Sequence, residues 1–279
     1  MELRRDDPRY PAALRDLPDP PRTLWARGEL ALLDRPCVAI VGTRRATAYA
    51  ERVTRELARA LARGGACVIS GLARGVDVAA HRAALDADGA TCAVLGTGLD
   101  VAFPRGHAAF QADIGVRGLL LSELAPSNAA HGGSFPRRNR IIAALAKVTI
   151  VVEAGVKSGA LITASHALEL NRTVAAVPGP IDIPQAQGSN ELLRDGAVLI
   201  ASVADALALL GLTAPARLRD LPDQGSERAL WDALAAGHAD LDTLSSRAGL
   251  PAHEAMAAVS ALELRGLVEC ALSGEIRRL

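Results

Sequence analysis

Aromatic side chains are scarce: Phe, Trp and Tyr make up 3% of the 279 residues, so no core of stacked rings can form. Half of the chain, 50%, is apolar, and the core must be assembled from Ala, Val, Leu and Ile. The length suffices for one large α/β domain and a small second one. No uncharged apolar run is long enough to cross a bilayer, so no membrane span is expected. The N-terminus, MELRRDDPRYP, lacks the apolar stretch of a secretory signal, and the expected location is the cytoplasm. CxxC spacing is also missing. The four cysteines, Cys37, Cys67, Cys92 and Cys270, are expected as buried reduced thiols, not metal ligands or disulfides.

Net charge is absent too, at 31 basic against 31 acidic residues, and by itself this argues against a nucleic-acid partner. The distribution is uneven. From Asp223 to the end there are nine acidic residues against five Arg, which leaves 26 basic against 22 acidic residues in the larger part. Lysine occurs only at Lys147 and Lys157, so nearly every cation is Arg.

What the chain does contain is a regular alternation. Residues 1–36, rich in Pro, Asp and Arg, read as a lead-in segment docked on the main domain. Short apolar runs follow at 37–41, 67–70, 92–95, 119–122, 148–152, 174–177 and 197–200. Helical patterns fill most of the gaps, for example 47–63, 76–87, 138–146 and 159–171. Continuous apolar strands separated by helices predict a doubly wound, Rossmann-like parallel sheet over 37–211. A Pro/Asp/Gly-containing linker is expected over 212–225. Three short helices and a hairpin around Ser273-Gly274 then predict a small C-terminal winged-helix domain over 226–279.

In an open parallel sheet the ligand site lies at the carboxyl ends of the strands. Gly, Arg and hydroxyl residues recur there: Gly42-Thr43-Arg44-Arg45, Ser70-Gly71 running on to Asp77, and Gly96-Thr97-Gly98. Glycine admits close backbone approach, and helix starts offer free N–H groups to an anion. Neither GxGxxG nor a Walker motif is present. A single loop of this kind reads first as a tight strand-to-helix turn; three on neighbouring strands reverse that preference and favour a phosphate site. FPRRNRIIAALA at 135–146 is sharper. Arg137, Arg138 and Arg140 cluster at a helix start beside Phe135 and Asn139, against the macrodipole. Arginine with an aromatic ring suits sequence-tolerant single-strand binding. A third anion-binding arrangement is Gly155, Lys157, Ser158 and Gly159.

The blocks IVGTRRATAYA, ISGLARGVDVAAH, LGTGLDVAFPRGH, LLSELAP, FPRRNRIIAALA, VVEAGVKSGALITASHAL, VPGPID and GSNELLRDGA stand in the order found in the DprA/Smf family, which residues 37–205 resemble. Thr43 stands where that family commonly has Ser. The lead-in stands in place of the small helical SAM-like domain that many members carry. The resemblance implies a homodimer that needs no cofactor, protects incoming single-stranded DNA in natural transformation and helps load RecA onto it. It further implies that Arg44, Phe135, Arg137, Asn139 and Arg140 line the single-strand pocket, with Arg105 and Lys157 as further phosphate contacts. With their neighbours Gly42, Thr43, Arg45, Ser70, Gly71, Arg138, Ser158 and Gly159 they form the candidate site.

The competing reading is an enzyme of the LOG-like nucleotide phosphoribohydrolase class. Those proteins are expected to carry a PGGxGTxxE-type block that supplies a catalytic Glu. Here EAGVKSGALITA has Lys and Ser instead, and neither a nucleophile elbow nor HExxH is present. A non-enzymatic binding protein is therefore expected. His81, His107, His131 and His166 are expected in surface or loop positions, and Asp77 as a helix-start carboxylate. In the C-terminal segment Glu254 and Glu263 face Arg265 alone, which predicts an accessory or protein-interaction role rather than duplex recognition. Arg277 or Arg278 could supply a single phosphate contact there.

Overall fold

A computed structural model describes residues 1–213, 222, 225–264, 267–271 and 274–278. Most of the expected linker, residues 214–221 and 223–224, lies outside the described residues, as do Arg265 and Ser273. The chain divides into two compact units, 1–214 and 215–279.

The first unit is built on nine strands: β1 (Glu2–Arg4), β2 (Thr23–Gly28), β3 (Cys37–Val41), β4 (Cys67–Ser70), β5 (Ala90–Leu95), β6 (Leu119–Ser122), β7 (Val148–Val151), β8 (Thr173–Ala176) and β9 (Val198–Leu199). Their spatial order is β1-β2-β6-β5-β4-β3-β7-β8-β9. Every pairing among β3 to β9 is parallel. The connections carry α1 (Ala48–Arg63), α2 (Val76–Leu85), α3 (Ala108–Arg117), α4 (Ser134–Leu145), α5 (Gly159–Glu169), α6 (Gln187–Arg194) and α7 (Val203–Ala208). Alternate strand residues go to opposite faces. Cys37, Ala39 and Val41 join one core with α4 and α5, while Val38 and Ile40 join another with α1 and α2.

The chain winds outward from β3 in one direction through β4, β5 and β6, and in the other through β7, β8 and β9. The order therefore reverses between β3 and β7. That reversal leaves a crevice at their carboxyl ends, because the two connecting helices diverge to opposite faces.

The first 36 residues differ from the docked lead-in expected of them. They extend the sheet itself. β2 pairs antiparallel with β6, Trp25 opposite Ser122, and β1 pairs antiparallel with β2. Leu24 and Ala26 are buried on one face, a period-2 pattern too short to stand out among the prolines. The Tyr10 hydroxyl donates to Pro21 O at 2.9 Å and ties the connecting segment down.

Two further expectations are corrected. Cys37, Cys67 and Cys92 are buried free thiols, but Cys270 is exposed at the end of a short hairpin strand. His81 is fully buried rather than superficial, because α2 is Ala-rich and packed on nearly every side. Thr91 donates its one hydroxyl proton to Val68 O at 2.8 Å, so His81 Nδ1, 2.7 Å away, donates to Thr91 Oγ1. Burial, with the nearby Arg138 charge, pushes the His81 pKa down to about 3.

The second unit comprises α8 (Gly225–Ala233), α9 (Leu241–Ala248), α10 (Ala252–Leu264) and a hairpin of β10 (Val268–Cys270) and β11 (Ile276–Arg278). Leu230, Trp231, Leu244, Val259 and Leu262 form its core. Asp240 caps α9, accepting from Thr243 N at 2.8 Å. Three helices and a hairpin make a winged helix. Its last arginines are engaged within the unit: Arg277 pairs with Glu269 at 2.7 Å, and Arg278 lies 4.1 Å from the Trp231 ring centroid.

Candidate nucleic-acid interface

The turn after β3 is held from three sides. Thr43 N donates to Glu153 O at 2.6 Å. The Glu153 carboxylate, only 2% exposed, accepts from Thr47 N at 3.0 Å and from Thr47 Oγ1 at 2.7 Å. Thr47 Oγ1 in turn accepts from Ala50 N and caps α1. Gly42 allows this closeness: a Cβ there would lie 2.5 Å from Val76 Cγ2. Gly75, at φ +76°, brings the β4–α2 loop against Thr43 O, where a Cβ would lie at 2.3 Å. The turn is rigid, and Arg44 and Arg45 stand on its outside, exposed.

Across the crevice, Ser158 caps α5 by accepting from Ala160 N at 3.3 Å, and Lys157 is exposed just before it. Asn139 Nδ2 donates to Gly159 O at 3.0 Å and couples this turn to α4. The resulting cleft has a volume of about 660 Å³, with Thr43, Arg44, Arg45, Phe135, Lys157 and Ser158 among its lining residues. Arg44, Arg45 and Lys157 have no carboxylate partner within 4 Å among the described residues. The Arg44 guanidinium carbon lies 5.8 Å from the centroid of the half-buried Phe135 ring. Gly96 lies beneath that ring; a Cβ there would sit 2.5 Å from Phe135 Cδ1.

α4 begins four residues before the expected start at 138. Gly133, at φ +86°, sets the turn, and Pro136 falls in the first turn, where its missing N–H has no helical partner to lose. This places the three arginines of FPRRNR in different surroundings. Arg138 is buried, at 6% exposure. Its Nη1 donates to Gly71 O at 2.8 Å and also to Val94 O, and its Nε to Asn139 Oδ1 at 3.2 Å. Burial lowers its pKa to about 10, partly offset by the neighbouring Asp77. Asp77, whose pKa burial raises against the pull of Arg138, accepts from Gly71 N and Ala73 N, each at 3.2 Å. Arg137 and Arg140 point to the other side of α4 and share Glu123 Oε1, at 3.2 and 2.6 Å. Arg137 also reaches Asp19 at 3.4 Å. Arg137, Glu123 and Asp19 line a second cleft of about 520 Å³ on the side of β5 and β6, with Arg140 packed behind Glu123.

The candidate residues therefore divide. Gly42, Thr43, Arg44, Arg45, Phe135, Lys157, Ser158 and Gly159 meet at the switch-point cleft. Ser70 does not: it is fully buried and donates to Ile40 O at 2.7 Å. Gly71 is covered by the Arg138 guanidinium. Arg138 and Asn139 border the cleft but are internal braces. Arg137 and Arg140 lie outside it, and Arg105 is exposed on a 3-10 turn, Arg105–His107, bordering neither cleft. Phe103, which sequence reasoning passed over, stands 48% exposed with its ring centroid 4.8 Å from that of Phe135. Its signal was rarity, as one of three Phe in the chain.

The family described as DNA recombination-mediator protein A matches residues 2–211. The chain belongs to this family. Its winged-helix domain also matches, over residues 213–274. The DNA processing protein A family, to use the shorter name, includes a putative member from Mycobacterium tuberculosis that is 40% identical over 90% of this chain and 67% of its own length. The Smf protein of Escherichia coli is 39% identical over 96% of this chain and 75% of its own. Among solved structures, the family member from Streptococcus pneumoniae superposes with a TM-score of 0.72 at 40% identity, over 75% of this chain and 73% of its own. The member from Helicobacter pylori, described as having a unique single-stranded DNA binding mode, gives 0.69 at 36% identity, over 76% and 95%. Both kinships follow the fold: the family match spans the sheet together with the two strands of the first 36 residues.

Proposed function

We propose that this chain binds single-stranded DNA in the cleft between β3 and β7, and that it protects incoming single strands and promotes RecA loading in transformation and recombination. It does so in the cytoplasm as a homodimer, without catalysing a reaction on the DNA. One observation carries the binding reading: three cations without carboxylate partners among the described residues, Arg44, Arg45 and Lys157, line a rigid strand-end cleft together with the half-buried Phe135 ring, with Arg44 nearest to it. Cations without partners attract phosphate, and a ring face accepts any base. The Helicobacter pylori relative supports the choice of ligand. Protection, RecA loading and dimerisation rest on kinship.

The glycosidic-hydrolase alternative needs a carboxylate free to act. Glu153 has both oxygens engaged by Thr47, and Asp77 accepts two backbone N–H groups while buried. The deciding experiment is a salt-dependent titration of labelled oligo-dT, with duplex DNA as competitor. Three phosphate contacts give a slope of log affinity against log salt of about −2 for a single strand. Duplex DNA competing on equal terms, or free base released from AMP, would overturn the reading.

A further inference from the structure

The loop after β5 carries an aromatic residue that packing does not explain. The chain has only three Phe. Two of them, Phe103 and Phe135, touch at the rim of the cleft with their planes tilted by 39°. Phe103 is half exposed, at 48%, so much of its ring faces solvent rather than core.

The loop beneath it is rigid. Ser122 Oγ donates to Thr97 O and Thr97 Oγ1 to Val101 O, both at 2.7 Å. Gly98 N donates to Asn128 O at 2.8 Å, and Asp100 N to Pro126 O at 2.9 Å. Gln111 Nε2 donates to Leu99 O at 3.0 Å. A Cβ on Gly98 would lie 2.0 Å from Ala125 O, so the loop is seated as closely as a backbone can be. On the far side, His107 Nδ1 lies 3.2 Å from Leu72 O. An apolar ring held out to water on such a support is preorganised for contact, because it has little conformational freedom left to lose on binding. Arg105, exposed two residues on, has no carboxylate partner within 4 Å among the described residues.

We propose that Phe103 is a second base-stacking platform beside Phe135, and that the DNA strand leaves the cleft over it toward Arg105. This rests on the single-strand reading of the cleft. The cleft then engages two successive bases on a pair of rings, with Arg44 at one end and Arg105 at the other. Tilted rings suit a strand that turns as it leaves. The platform reads bases as flat surfaces and not as sequences, so it distinguishes a strand with bases from one without.

The test uses the full chain with two probes, a labelled oligo-dT and an abasic oligomer of the same length. Phe103→Ala should weaken oligo-dT binding about 5- to 150-fold, the range for one lost stacking contact. It should leave abasic binding within about twofold, and Phe103→Trp should restore oligo-dT affinity. Arg44→Ala is the control and should weaken both probes. A loss in Phe103→Ala that is equal for the two probes, or no loss at all, overturns the platform while Arg44→Ala still reports on the cleft. If Arg44→Ala also changes neither probe, the single-strand reading itself fails. A thermal melt of Phe103→Ala matching the parent excludes unfolding as the cause of the loss.

Discussion

The two clefts flanking α4 have nearly the same ingredients and differ in how far their cations are compensated. Both lie at strand ends, and both have arginine at their rim. Among the described residues, Arg44, Arg45 and Lys157 on the β3–β7 side have no carboxylate within 4 Å, whereas on the β5–β6 side Arg137 and Arg140 converge on Glu123, Arg137 also on Asp19, and the exposed Arg22 at that rim is left without one. A cation already paired with a carboxylate has little uncompensated charge left to draw a phosphate. The number of arginines near a groove therefore says less about anion binding than the number whose charge is uncompensated. Arg138 belongs to neither class. It forms the wall between the clefts and bonds to carbonyl oxygens of β5 and of the loop after β4.

The largest effect should come from that wall. Arg138→Ala leaves the Gly71 and Val94 carbonyls without this donor and the buried Asp77 without its compensating charge. A loss of about 3–5 kcal/mol in unfolding free energy is expected, measured by urea denaturation. A stable Arg138→Ala protein that had lost only DNA affinity would make Arg138 a ligand contact and erase the distinction between the three arginines.

The comparison itself is tested by paired variants in DNA binding. Arg44→Ala should weaken oligo-dT binding about tenfold or more at moderate salt, since a charge-assisted contact contributes roughly 1.5–3 kcal/mol. Arg140→Ala should change affinity less than about threefold, because its charge is already compensated by Glu123 at 2.6 Å. Equal losses in a titration of both variants would mean that the strand also runs through the β5–β6 cleft.

A smaller effect concerns α2, which packs behind the wall. His81 has a folded pKa of about 3 against 6.5 for the free side chain. Above pH 6.5 it is neutral in both states and costs nothing. Below that the unfolded chain takes up a proton that the folded chain refuses, so stability falls as pH drops from 6.5 toward 3. The parent should lose up to about 1.4 kcal/mol more per pH unit than His81→Gln between pH 6 and 4. Parallel stability curves for the two proteins would show that the imidazole reaches solvent.

Much of the fold is legible in the residues. CVAIV, CVIS and LLLS are strands at the expected bounds, because an apolar run of that length between helices has few other places to go. β1 and β2 are not legible, since an antiparallel edge strand alternates, and two buried residues among prolines make a weak alternation. At the cleft, the glycines and Arg44 could be read from the strand-end rule. The fates of Arg137, Arg138 and Arg140 could not. They depend on Glu123, 14 and 17 residues away in sequence, and on two carbonyls that only the folded sheet brings within reach. Local spacing puts the three cations together; helix phase sends them to different sides.

Glu123 offers the finest test of the contrast, because it changes one cleft without touching the other. Glu123→Gln keeps the side chain's shape and removes the charge that Arg137 and Arg140 share. The two arginines then gain uncompensated charge, and the β5–β6 side becomes electropositive like its neighbour. Oligo-dT affinity at low salt should rise about two- to fivefold, and the salt dependence should steepen by one to two phosphate contacts, each adding roughly 0.7 to the slope. The rise should vanish in the Glu123→Gln, Arg137→Ala, Arg140→Ala triple variant, which removes both cations that the single variant releases. A Glu123→Gln protein with unchanged affinity and slope would mean that the DNA does not approach this side of α4. The strand would then be confined to the β3–β7 cleft, and the compensation of Arg137 and Arg140 would serve packing alone.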